Sequence, residues 1–208
     1  MVLLGSTMLM TSNVFAQESI NITKNDNIKI IEENIDPYEK VIEDLNKEYD
    51  LDLGYNKVDP QEISLEDYTN MAVSLAKEQR ETLNYIAMRE AQAELEVEQI
   101  DPNNMSRASS YTVTDTKYTD NWAMMTATYT CTPGNPNLVS NPKNVKGSET
   151  GRYFQETNRW YVQEDWSYKR LDAGRTLGIT TTGYTCTLGG LGRIDNVKIY
   201  CEFEFIEK

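Results

Sequence analysis

Asp101-Pro-Asn-Asn-Met-Ser-Arg-Ala-Ser-Ser110 separates two stretches of chain with different hydrophobic periods. Pro102, two Asn and three Ser end the helical pattern that precedes them, so 101–110 is expected to be a linker. Upstream, apolar residues recur every three or four positions. Downstream they alternate, and the composition changes with them. All three Trp, eight of the thirteen Tyr and nine of the eleven Gly lie from Tyr111 onward. Such residues favour strands joined by turns. The expected fold is therefore α+β: an N-terminal helical hairpin with one long helix over 36–100, followed by a small antiparallel β-sandwich or barrel over 111–208.

The helical part carries its own start signals. Asp36-Pro37-Tyr38-Glu39 places a capping carboxylate before a proline suited to the first turn, with Glu39 completing a capping box. Tyr38, Val41, Ile42, Leu45 and Tyr49 then form one apolar face. After a connector containing Gly54 and Pro60, Ser64 and Asp67 make a second capping box. The stripe Leu65, Tyr68, Ala72, Leu75, Gln79, Leu83, Ile86 and Ala93 follows without Gly or Pro. A helix near 30 residues would be about 45 Å long, and its mixed stripe predicts half-burial rather than a heptad coiled coil.

In the β part, Val197, Ile199, Cys201, Phe203 and Phe205 alternate with Lys198, Tyr200, Glu202 and Glu204, and Ala123, Met125, Ala127, Tyr129 and Cys131 alternate with threonines. Trp160, Val162, Trp166 and Tyr168 line up less regularly. Turns are expected at Pro133-Gly134, Lys146-Gly147, Ala173-Gly174 and Gly189 to Gly192.

The first residues have the grammar of a secretory signal peptide over 1–16. Val2 to Met10 is a short apolar run, and Val14-Phe15-Ala16 sets small residues before a cut at Gln17, although no Lys or Arg precedes Val2. Residues 17–35 are polar and are expected to be a flexible leader. The run is about half of what a membrane-spanning helix needs, so no stable membrane insertion is expected. Charge is one-sided: 22 acidic against 9 basic residues from Gln17 to Ser110, and 11 against 11 from Tyr111 to Lys208. That balance offers no basic footprint for nucleic acid. The chain has no His, which removes the commonest zinc ligand and the usual base of Ser and Cys hydrolases. No catalytic residue, metal or cofactor is assigned.

Tyr129-Thr-Cys131-Thr recurs as Tyr184-Thr-Cys186-Thr. In an exported chain a pair among Cys131, Cys186 and Cys201 is expected to be oxidised. A Cys131 to Cys186 bridge would close a loop of about 55 residues, worth about 4 kcal/mol. A Cys186 to Cys201 bridge across the Gly189 to Asp195 turn is the alternative. Gly183-Tyr184-Thr185-Cys186 resembles the immunoglobulin pattern of a Tyr two residues before the second Cys, which implies a sandwich fold. Trp160, 29 residues after Cys131, departs from that family's spacing. The stretch from Asp36 to Tyr49, with Ile63 to Tyr68, resembles a segment of uncharacterised exported proteins of Gram-positive bacteria, which implies export.

Two further groups bear on function. Asp50-Leu-Asp52-Leu-Gly54-Tyr-Asn56 superficially matches a calcium loop, but the glycine is one position early and Gln61 replaces the bidentate Glu. Trp160, Tyr161, Trp166 and Tyr168 are the candidate ligand-binding residues, an aromatic platform for a sugar ring, with core packing as the competing role. Glu156, Glu164 and Asp165 nearby raise the alternative of a carboxylate-dependent, glycosidase-like hydrolase. The Thr-rich strands raise a membrane-active toxin. The leading expectation is a secreted or cell-surface, non-catalytic module for a protein or glycan partner.

Overall fold

The computed structural model describes residues 35–58, 60, 63–96, 109–119, 122–151, 159–187 and 192–208. The expected signal peptide, residues 17–34 of the expected leader, residues 101–108 of the expected linker, residues 189–191 of the expected Gly189 to Gly192 turn, and Glu156 lie outside them. Ile35 to Lys208 forms one compact unit. It is α+β: helices α1 (Pro37–Tyr49) and α2 (Leu65–Glu96), with strands β1 (Gly54–Tyr55), β2 (Tyr111–Tyr118), β3 (Ala123–Thr132), β4 (Leu138–Glu149), β5 (Arg159–Leu171), β6 (Thr176–Thr187) and β7 (Ile194–Glu204). The strands make two antiparallel sheets, ordered β1-β7-β6-β5 and β2-β3-β4.

Both helices begin where their caps dictate. The Asp36 carboxylate accepts the Tyr38 N–H at 3.0 Å, and the Ser64 hydroxyl accepts the Asp67 N–H at 3.1 Å while donating to the Asp67 carboxylate at 2.6 Å. Each satisfies donors that a helix start leaves open. α1 buries Tyr38, Ile42 and Leu45. α2 has 32 residues, and its first half buries Tyr68, Met71, Ala72, Leu75, Ala76 and Gln79. Among the described residues of its second half only Ala93 is buried, and Tyr85, Met88 and Leu95 are exposed. None of the described helices is long and apolar enough to cross a membrane.

The strand patterns meet in a shared core. β3 alternates buried and half-buried residues along its whole length. Met125, Ala127 and Tyr129 from β3 and Ile179, Ile199 and Phe203 from the four-stranded sheet belong to one cluster. The Tyr129 ring meets Phe203 edge-on at 5.7 Å, and its hydroxyl donates to the Glu204 carbonyl at 2.7 Å. Close approach of β4 and β6 needs Gly147, where a Cβ would stand 2.6 Å from the Thr181 hydroxyl. Extra residues bend the strands: Asn141, Asn144 and Asn196 take left-handed backbone at φ 52°, 51° and 62°, beside the register shifts of β4 and β7. Asn tolerates that conformation better than other residues with a Cβ.

Three carboxamides complete backbone pairing where strands run out. Gln79 of α2 donates to the Lys198 carbonyl at 3.0 Å and accepts the Lys198 N–H at 2.7 Å. Asn46 does the same with Leu53, at 2.8 and 2.9 Å. Gln163 accepts the Gly147 N–H at 2.7 Å and donates to the Val145 carbonyl at 3.2 Å, joining β5 to β4. A primary amide carries a donor and an acceptor, as a peptide group does, so each imitates a missing strand. This explains why polar Gln79 sits within an otherwise apolar stripe at 2% exposure.

The expected disulfide is not present. Cys131, Cys186 and Cys201 are all free, buried thiols. In the β6–β7 register Cys201 faces Ile179, whereas Cys186 lies seven residues further along β6, next to Thr185, which faces Ile194. That separation is about 23 Å of strand, against a Cα separation below about 7 Å for a bridge. Cys131 faces Tyr111, whose ring meets Phe205 beyond the far end of β7. Proximity to the turn in sequence was thus a poor guide, because the long hairpin carries the cysteines to different rungs. Burial pushes the Cys201 thiol up to about 12, with Lys117 acting in the opposite sense.

Candidate functional site

The candidate aromatics all lie on β5, and a bulge sorts them. Gln163 faces Gly183 and Asp165 faces Thr182, so Glu164 is an extra residue in β5. Here a Cβ on Gly183 would collide with the Val162 carbonyl oxygen. The extra residue reverses the inward parity from odd to even. Tyr161 before the bulge therefore shares a face with Trp166 and Tyr168 after it, while Trp160 lies on the other face opposite Cys186.

Tyr161 is part of the core, 6% exposed, with its hydroxyl 3.2 Å from the Thr181 hydroxyl and its ring edge-on to Trp122. Burial pushes its phenol up to about 12, and the Thr181 hydrogen bond works against that shift. Trp160 is half-buried. Trp166 and Tyr168 are the two that come together: their ring centroids are 6.3 Å apart and the planes are 29° from parallel. Trp166 packs against the core cluster, while Tyr168 is 43% exposed. The first ring anchors the second, which limits the entropy a ligand would have to remove from it. The Trp166 N–H donates to the Asp165 carboxylate at 2.7 Å, a local cap on an edge strand.

The nearby carboxylates are engaged in structure. Glu164 accepts from Arg193 at 3.3 Å, and that guanidinium also pairs with Asp195 and stacks 3.6 Å above the Tyr184 ring. A cleft of about 420 Å³ lies elsewhere, lined by Asp50, Asp52, Leu83, Thr182, Asn196 and Lys198 among others. Its Asp50 carboxylate is 91% exposed and pairs with Arg80 at 3.3 Å. A solvated, paired carboxylate lacks the burial that turns such a group into a general acid. Glu78 does have its carboxyl raised from 4.5, by burial first, with Arg159 lowering it. It does not line the cleft. Among the described residues no group of three or more Cys, Asp or Glu is arranged to hold a metal ion.

Residues that sequence reasoning did not single out hold the far end of α2. Arg89 is 12% exposed and donates to Glu202 at 2.7 Å and to Asp172 at 2.8 Å. Tyr200 and Thr176 add hydroxyl donors to the same two carboxylates. Burial acts to raise the Asp172 carboxyl, but the Thr176 and Arg89 hydrogen bonds outweigh it and hold the group below 3.8. The only sequence signal was an arginine among acids, which ordinarily marks a solvated helix face. Comparison with family models, with curated proteins and with solved structures gives no match to this chain.

Proposed function

We propose that this chain is a secreted or cell-surface, non-catalytic binding module that holds a glycan against the Trp166–Tyr168 pair, with the two sheets acting as the layers of a small β-sandwich. The observation that carries the reading is the pair itself: two near-parallel rings on an edge strand, one anchored in the core and the other open to solvent. A sugar ring presents a C–H face that packs on such rings, and a rigid aromatic loses little freedom on binding. Export follows from the signal grammar of Val2 to Ala16. The ion-paired Glu164 and Asp50 favour binding over hydrolysis.

The test is a panel of neutral and charged oligosaccharides titrated against the chain by tryptophan fluorescence and calorimetry. A binding oligosaccharide is expected, and Trp166→Ala with Tyr168→Ala should weaken it by about tenfold or more, the effect of losing one or two stacking contacts. Absence of any bound glycan, or unchanged affinity in the double variant, would overturn the reading.

A further inference from the structure

The outer face of the three-stranded sheet is a second surface, independent of the aromatic pair. Its composition follows from the register. β2 and β3 pair without interruption from Tyr111 opposite Cys131 to Tyr118 opposite Met124. The odd-numbered residues 123–131 of β3 are all buried in the core, so the even-numbered ones face outward. In β2 and β3 every outward position is Thr except Tyr118 and Met124. Across β4 the outward positions facing them are Leu138, Ser140, Lys143, Lys146 and Ser148.

No outward position on these three strands is acidic, in a chain whose formal charge is -13. Asp115, the one acid of β2, shares the inner face with Ala127 and is bonded to the Thr116 N–H and to Lys117. Lys143 and Lys146 are exposed and make no ion pair among the described residues. They face Thr128 and Thr126, two residues apart on β3, or about 7 Å along the strand. The hydroxyls of these threonines are paired with Thr114 and Thr116 at 2.9 and 2.8 Å. In a hydroxyl pair one group donates and the other keeps its proton, so each pair retains a donor for an acceptor outside the protein.

We infer that this face binds a linear acidic polysaccharide, its anionic groups set against Lys143 and Lys146 and its sugar hydroxyls against the threonine rows. Charge complementarity selects the occupant. Two ammonium groups within reach of one chain, backed by hydroxyl donors and free of acids, suit repeated carboxylates among neutral hydroxyls. A nucleic acid would call for more cations and for rings to stack on its bases, and only Tyr118 is aromatic here. The even balance of charge across the second half conceals this face, because none of the described acids of that half lies on it.

The experiment immobilises the full chain and compares polygalacturonate with neutral galactan of similar length and with a single-stranded oligonucleotide. Polygalacturonate is expected to bind, and galactan to bind about tenfold more weakly or less. Lys143→Glu with Lys146→Glu should weaken polygalacturonate by about tenfold or more, while the charge-matched pair Lys47→Glu with Lys77→Glu on the helices should not. Raising salt from roughly 50 to 300 mM on the unaltered chain should weaken binding several-fold, a reading that needs no variant. Equal binding of the two polysaccharides would overturn the inference, as would preference for the oligonucleotide, insensitivity to salt, or unchanged binding in a folded Lys143/Lys146 variant.

Discussion

The two sheets share one core but treat their outer faces in opposite ways. On the four-stranded sheet, Lys198, Tyr200 and Glu202 turn away from the core residues Val197, Ile199, Cys201 and Phe203, and α2 meets them. On the three-stranded sheet the corresponding face holds threonines, serines and two lysines beside Tyr118, Met124 and Leu138, and neither α1 nor α2 makes a substantial contact with it. Apolar burial attaches the first half of α2. Beyond Gln79 the attachment passes to directional contacts: the Tyr85–Tyr200 ring pair, Arg89 between Glu202 and Asp172, and Glu90 with Lys169.

Removing Arg89 should break this contrast most. Arg89→Ala leaves two largely buried carboxylates facing each other and is expected to cost about 3–5 kcal/mol by chemical denaturation, the range for breaking a buried pair. Its pH dependence has a definite sign. The lowered Asp172 carboxyl contributes stability that is present above the ordinary value of 3.8 and lost as pH falls through its folded value. The gap between the parent and Arg89→Ala should therefore narrow in acid, and a gap independent of pH would show that the pair contributes no net charge stabilisation.

Gln79→Ala comes next. It strips the Lys198 N–H and carbonyl of their partner and should cost about 1–3 kcal/mol, with faster amide exchange at Lys198. A loss below 0.5 kcal/mol, taken as roughly the noise of surface changes, would mean that water replaces the carboxamide without penalty. The smallest effect is expected on the bare face. Thr128→Val removes one hydroxyl pair in solvent and should change stability by no more than about 0.5 kcal/mol. A larger loss would show that the threonine rows hold the sheet together.

Much of this architecture was legible. Cap and period together located both helices, since Asp36 and Ser64 open them and the apolar residues repeat at 3.6. The alternation in β3 and β7 marked two of the core strands for the same local reason. The candidate aromatic site was legible only as a list. Tyr161 and Trp166 share a face because of one extra residue at Glu164, and nothing in the local composition announces a bulge whose partner residue is Gly183. The cysteines misled for a related reason: rung-by-rung register, not distance along the chain, decides which side chains meet.

By itself, then, the sequence determined what depends on neighbours a few residues away: where helices begin, which stretches alternate, where charge accumulates and which residue types are absent. Tertiary structure alone decided what depends on partners far along the chain. It brought Gln79 to the edge of β7 across 119 residues and Arg89 to Glu202 across 113. It paired Trp166 with Tyr168 at the border of the core and gathered two lysines onto a face without acids. The physical reason is that hydrogen bonds, ion pairs and burial act over a few ångströms in space, and only the folded chain sets which residues are that close.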